Sequence, residues 1–443
     1  MHPPADDDAA SRAGPAGRAD AHAAVPLLNC LLREVAEPLP GPARPDGPRT
    51  YRLPHSRRLL RVRGARRPTA PEVHTAGSWH RLTHTELVKL VAEELRRHTG
   101  RSNHELPAEM LDSRDAVAAL LAARDRADPP DDLYLRSEQS LLTGHTHHPA
   151  PAFADGRLLR LGETPWPVWP TAAVRTVYAP AEDLFLKFSL DVRITNDIRR
   201  LWRHDLERLR VTDTAVRDAF AGAGPAGGAW LSDRGHRTAD FAVEQLAVVV
   251  RDGFRGRLVP GATPCLAAAL VEGFDGDPLA ATGRPADWWE AYLAHVVPPA
   301  LAAFHRHGVV LEAHLQNTLI AVDADGMPVQ ALYRDAEGVK LLASPHRPDG
   351  LATVTREAGW ERLVYCLVVN HLMEIAAALA DHHPGLDPWP AVRRELARHD
   401  LPEIPALLTA PTLPAKTNLL LRWTAADGAD ARYRPLPNPL SGR

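Results

Sequence analysis

Two short clusters of the chain hold the side chains most suited to chemistry: Glu312-Ala313-His314-Leu315-Gln316-Asn317 and Arg334-Asp335-Ala336-Glu337-Gly338. Between them, Thr318 to Val322 reads as a strand, Asp323-Ala324-Asp325-Gly326 carries turn chemistry, and Val329 to Tyr333 reads as the returning strand. Counting pairs outward from an Ala324/Asp325 turn predicts His314 opposite Asp335. Both clusters are thereby delivered to one end of one hairpin. The oxygens of Glu312, Gln316, Asn317, Asp335 and Glu337 make the kind of donor set that Mg²⁺ with bound nucleotide phosphates takes.

A second candidate lies upstream. Asp183 to Arg193 alternates, with Leu184, Leu186, Phe188, Leu190 and Val192 predicted on a buried face. Lys187, Ser189, Asp191 and Arg193 fall on the polar face. Asn196-Asp197-Ile198-Arg199-Arg200-Leu201 then reads as an N-capped helix start. Thr195 and Arg199, one turn apart there, would lean over free backbone N–H groups, where a carboxylate or phosphate is gripped. A third candidate is Gly144-His145-Thr146-His147-His148-Pro149. Three imidazoles invite a zinc reading, but no fourth ligand stands nearby; a histidine loop closing over phosphates fits better.

The elements that position these groups follow from pattern and composition. Residues 1–24 are rich in Ala, Asp, Gly and Pro and read as a disordered tail. Thr83-His84-Thr85-Glu86 is a capping box before Leu87, Leu90 and Val91, and a second helix is expected over Met110 to Arg124. Trp288 to Gly308 reads as a helix that Pro298-Pro299 should kink or divide. Leu363 to Ala380 is apolar but interrupted by Asn370, His371 and Glu374, which reads as a buried helix, not a membrane span. The chain has 443 residues, 45% hydrophobic and 24% charged, and a net charge of −3. Those figures suit several full-sized cores and give no global attraction to nucleic acid. Cys30, Cys265 and Cys366 lie far apart, against a disulfide framework or an iron–sulfur cluster. With no apolar leader, the expected location is cytoplasmic.

Taken together, Gly144-His145-x-x-His148-Pro149, Leu186-Lys187-x-Ser189-Leu190, Arg193-Ile194-Thr195-Asn196-x-x-Arg199, Glu312-Ala313-His314-x-Gln316-Asn317 and Arg334-Asp335-x-Glu337-Gly338 resemble the NRPS-independent siderophore synthetases, the aerobactin-synthetase-like enzymes. Order and spacing match from about Tyr134 onward, and Lys416, Arg422 and Asn438-Pro439-Leu440 resemble the family's tail. The resemblance implies an α+β, multi-domain thumb, fingers and palm ("cupped hand") architecture with antiparallel sheet and a C-terminal helical part. Its divisions would be a tail to 24, an N-terminal domain 25–132, a central domain 133–345 and a helical domain 346–443. It further implies ATP-dependent adenylation of citrate or a related acid, then condensation with an amine or hydroxyl, with ATP and Mg²⁺ required. By that resemblance, His145, His148, Arg175, Lys187, Gln316 and Asn317 hold nucleotide, and Glu312, Asn317 and Asp335 hold metal. Thr195, Arg199, His314 and Lys416 hold the acid, with Arg199 and His314 catalytic. The partners implied are a small polycarboxylate and its nucleophile, without nucleic acid or membrane; a homodimer is left open.

One departure stands out. The family's loop usually continues with Lys and Arg where this chain has Ala152 and Ala154, so Arg157 or Arg160 would have to substitute, or nucleotide binding is weakened, or the chain is a catalytically degenerate homologue. The hairpin also resembles that of small-molecule kinases, but Gln316 stands where their catalytic Asp would be. An iron–siderophore binding protein is the non-enzyme alternative.

Overall fold

The structure, a computed structural model, describes residues 14–40, 47–64, 67–125, 130–141, 167–190, 193–194, 197–222, 227–344, 353–426 and 433–442. Contacts divide the chain into two compact units. One comprises Met1–Asp128, Arg193–Asp197 and Ala415–Leu436; the other comprises Pro129–Val192, Ile198–Pro414 and Pro437–Arg443.

In the first unit, five strands (Glu37–Pro38, Arg49–Leu53, Arg58–Arg63, Thr69–Thr75 and Ser78–Arg81) form an antiparallel meander in chain order. Residues 15–24, expected to be disordered, instead begin a helix over Pro15–Glu34. Alanine loses little entropy in a helix, Pro15 suits a first turn, and Ala24, Leu28 and Leu31 are buried along one face. The capping box forms as expected: Thr83 and Glu86 bond reciprocally and start the His84–Thr99 helix. The next helix, Glu105–Arg124, starts five residues before the expected position. Leu419 and Trp423 of the tail pack into the same core as Leu28, Leu60 and Leu87. Glu34 fixes that tail by accepting the N–H groups of Asn418, Leu419 and Leu420.

The second unit holds two larger sheets. Five antiparallel strands run in the order Asp233–Arg237, Val248–Asp252, Leu184–Phe188, Thr176–Ala179, Trp169–Pro170. Four more run in the order Ala229–Leu231, Pro328–Arg334, Thr318–Val322, Thr263–Leu266, with only the first pair parallel. Tyr134, Tyr178, Phe185, Leu231, Leu319 and Leu332 join both sheets to the Leu133–Ser140 helix in one core. The Pro285–His307 helix continues through Pro298 and Pro299 without division. Its buried stripe (Trp288, Trp289, Tyr292, Val296, Leu301, Phe304) outweighs the backbone bonds the prolines remove.

Residues 356–382 form one continuous helix whose middle, Val364–Leu372, is π-helical. It is long and apolar enough to cross a bilayer, yet 67% of its most apolar window is buried within the chain. The core-helix reading accounts for that burial.

Candidate functional site

The Leu184–Phe188 strand carries Lys187, but with the opposite face inward from the one its apolar residues suggested. Phe185 and Lys187 are the buried positions, whereas Leu184, Leu186 and Phe188 are half-exposed. The reason is charge compensation. Lys187 Nζ lies 2.6 Å from Asp335 Oδ1 and 2.8 Å from Glu337 Oε2. Across the strand pairs, Arg251 stands opposite Phe185 and Asp233 opposite Arg251, so Lys187, Arg251 and Asp233 share one sheet face. Arg251 donates to Asp233 Oδ1 at 2.6 Å and to Asp335 Oδ1 at 3.3 Å. Asp233 also accepts the Ala336 N–H at 2.8 Å, which fixes the loop carrying Asp335. Burial opposes ionisation of Asp335 and Glu337, but Lys187 with Arg251, and Lys187 with Arg175, outweigh it. Both carboxyls are held below their ordinary range.

Arg175, buried just before the Thr176–Ala179 strand, grips Glu337 with one guanidinium nitrogen at 3.0 Å. Another nitrogen donates to the carbonyls of Arg199 (2.8 Å) and Arg200 (3.0 Å). The helix expected over 196–201 is not formed at the described residues 197–201. Arg193–Ile194 and Asp197–Ile198 are paired short strands, and the helix begins at Arg203 after Trp202. Arg199 therefore sits before the helix, half-buried and steered through its backbone by Arg175. The sequence pattern misled because Asn-Asp is as good a turn former as a helix cap.

The hairpin of Thr318–Val322 and Pro328–Arg334 forms as expected, but its register is shifted by two from the count. Thr318 pairs with Tyr333, and the Arg334 N–H donates to the Asn317 carbonyl at 3.1 Å. A five-residue connection, 323–327, with an irregularity at Ala321/Val322 replaces the two-residue turn. At the base, His314 Nε2 lies 3.4 Å from Asn317 Nδ2 and 4.0 Å from Glu312 Oε2. Glu312 Oε1 takes Arg362 at 2.8 Å. A Cβ at position 338 would meet Glu312 Oε2 at 1.9 Å, so only glycine lets that carboxylate in. Asp335 itself has φ +82°, an unfavourable conformation that its three anchoring neighbours hold in place. Arg334 is buried and bonded to the buried Glu138 at 2.7 Å, and it also donates to the Gln316 carbonyl.

Beneath the base lies His371, fully buried in the π-helical stretch. Its Nδ1 is 2.9 Å from the Ala313 carbonyl and its Nε2 is 2.6 Å from the Tyr292 hydroxyl. An Nδ1–H tautomer donates to Ala313 and accepts from Tyr292. Burial, with His314 adding to it, pushes the imidazole down to about 4 and keeps it neutral.

Arg175, Lys187, Arg199, Glu312, His314, Asn317 and Asp335 thus belong to one unit and to linked contacts, while the Gln316 side chain is exposed. Lys416 ends the Thr412–Lys416 strand in the other unit. Thr195, His145, His148, Ala152, Ala154, Arg157 and Arg160 lie outside the described residues. Glu312, Asn317 and Asp335 offer the oxygens a hard cation prefers, but Arg362 holds Glu312 and Lys187 with Arg251 holds Asp335. Among the described residues, no group of three His, Cys, Asp or Glu is preformed to hold a metal. Arg251, Asp233, Arg362, Glu138 and His371 were not singled out from the sequence as site residues. The one local signal was a charged pair, Arg251-Asp252, closing the apolar strand Val248–Val250.

Comparison with known proteins bears on this arrangement. A profile of the IucA / IucC family matches residues 150–272, and one described as ferric iron reductase FhuF-like transporter matches residues 286–431. An L-2,3-diaminopropanoate–citrate ligase of Staphylococcus aureus is 28% identical over 331 residues, 64% of this chain and 56% of that protein. A spermidine-citrate ligase of Bacillus anthracis is 24% identical over 333 residues, 64% of this chain and 54% of that protein. The chain spans little more than half the length of the curated relatives it matches. Among solved structures, ATP-bound aerobactin synthetase IucA of Klebsiella pneumoniae superposes with a TM-score of 0.74 at 20% identity, covering 96% of this chain and 100% of that one. The petrobactin biosynthesis protein AsbB of Bacillus anthracis gives 0.73 at 13% identity, covering 98% and 97%. The α+β arrangement of helices and antiparallel sheets is the fold these two synthetase structures share with the chain. Over part of its length the chain is similar to enzymes of the NRPS-independent siderophore synthetase type.

Proposed function

We propose that this chain activates a polycarboxylic acid, citrate or a close relative, with ATP and condenses it with an amine or hydroxyl nucleophile. A carboxylate oxygen attacks the α-phosphorus and pyrophosphate leaves. The nucleophile then attacks the acyl carbon, loses its proton, and AMP departs with the bridging oxygen. The observation that carries this reading is the Lys187, Arg175, Asp335 and Glu337 cluster, held in one unit with the His314 hairpin base. Two anionic reactants need fixed cations to offset their repulsion, and these are preorganised. In this reading Lys187 and Arg175, with Gln316 and Asn317, serve the nucleotide and Arg199 and His314 serve the acid; the sequence motifs add His145 and His148 to the first set and Thr195 and Lys416 to the second. Mg²⁺ would be held by Glu312, Asn317 and Asp335 once Arg362 and Lys187 yield those carboxylates, and would then supply charge neutralisation at the phosphates.

The test is a product assay with ATP, citrate and a panel of amines. AMP with pyrophosphate supports the synthetase; ADP indicates phosphoryl transfer and overturns it. Arg199→Ala and His314→Ala should each lower kcat/KM for the acid by about 10- to 150-fold, from about 1.5–3 kcal/mol per charge-assisted bond. Circular dichroism should stay unchanged. Near-parental turnover in both variants removes the acid clamp.

A further inference from the structure

Three elements that carry cations outside the family motifs pack on the Val309–Val310 strand, which leads directly to Glu312. Arg208 comes from the Arg203–Phe220 helix, Lys340 from the Lys340–Leu341 strand and Arg362 from the Arg356–Leu363 helix. Arg362 bonds Glu312 at 2.8 Å and the Gly338 carbonyl at 3.2 Å through one terminal nitrogen. Its Nε is buried without a partner among the described residues, and so is the Nε of Arg208. Orphaned buried donors on charged groups are costly and call for an acceptor. Two of them, with Lys340 on a strand that packs beside both helices' partner strand, call for an anion.

The local acids do not answer that call. Glu312 already holds Arg362. Asp205, one turn before Arg208, has its carboxyl pushed up by burial and by Glu337. Burial first, and then the neighbouring charges of Arg362 and Arg208, push the Lys340 ammonium below its ordinary value.

We propose that Arg208, Lys340 and Arg362 form an oxyanion subsite for a further carboxylate of the acid, one that does not react. The proposal rests on the synthetase reading. Glu312 links Arg362 to His314, so the subsite adjoins the proposed acid end, and guanidinium Nε donors suit a planar carboxylate. A phosphate oxygen shares this chemistry and is the alternative occupant. Such a subsite would make the enzyme prefer a tricarboxylate to a diacid of the same reacting end.

Isothermal titration of the full chain with citrate, glutarate, ATP and pyrophosphate separates the cases without turnover. Citrate should bind the unmodified chain more tightly than glutarate. Lys340→Gln and Arg208→Gln should each weaken citrate about tenfold or more and leave glutarate, ATP and pyrophosphate unchanged. Unchanged citrate affinity in folded Lys340→Gln overturns the subsite, and so does weakened pyrophosphate or ATP with citrate intact. A lowered melting temperature with every affinity intact assigns the cluster to stability instead. If the unmodified chain binds neither acid and releases no AMP, the synthetase reading falls as well. Normal AMP release with citrate insensitive to Lys340→Gln removes the subsite alone.

Discussion

Lys187→Met and Asp335→Asn should each destabilise the protein and abolish the proposed adenylation, whereas the double variant should regain stability and stay inactive. The argument is a charge count in one buried network. Lys187, Arg175 and Arg251 supply three positive charges against three negative ones on Asp335, Glu337 and Asp233. Either single substitution leaves one buried charge uncompensated. Stranding such a charge costs about 3–5 kcal/mol, and the remaining partners should keep the loss near the lower figure. Removing both restores the balance, so denaturation of the four proteins should show a coupling of about 1–3 kcal/mol. Activity has a different origin. A preorganised cation at a phosphate contributes on the order of 10²–10³ in rate, and neutral methionine cannot supply it. Pyrophosphate exchange should therefore be lost in all three variants. Additive stabilities would mean the groups are not one network; exchange restored in the double variant would take Lys187 away from the nucleotide.

That network also shows why the sequence was legible in some places and not in others. The Thr83 capping box and the 318–334 hairpin are local, and both form where their residues indicate. Alternation equates apolar with buried, and Lys187 defeats that equation because its partners lie 148 and 150 residues on, at Asp335 and Glu337. Neutralised by those partners, it is buried beside Phe185 while Leu184 and Leu186 lie nearer solvent. The hairpin count failed by two because turn length is set by backbone conformation at 323–327, which the composition Asp-Ala-Asp-Gly does not specify. Arg251 and Asp233 were missed for the same reason as Lys187: their meaning is a pairing between strands, absent from either strand alone. The motif residues could be found because chemistry restricts their types. Their supports could not, since many residue types can brace a backbone.

His371 is such a support, and it should leave a signature in pH. The unfolded chain's imidazole titrates near 6.5, while in the folded protein burial holds it at about 4. Above 6.5 both forms are neutral and the full stability is present. As pH falls toward 4, the unfolded state takes up a proton that the folded state refuses, so stability declines. One proton over that window amounts to about 3 kcal/mol at ~1.4 kcal/mol per pH unit. His371→Asn keeps a donor near the Nδ1 position for the Ala313 carbonyl but leaves the Tyr292 hydroxyl unanswered. At pH 7.5 it should cost about 1–3 kcal/mol. Because asparagine does not titrate, the gap between parent and variant should narrow as pH drops from 6.5 to 4.5. His371→Leu, which abandons both bonds, should also loosen the Glu312–His314 segment and raise KM for the acid more than it lowers kcat. A gap that stays constant across that pH range would mean His371 is not held neutral, and the brace beneath His314 would have to be sought elsewhere.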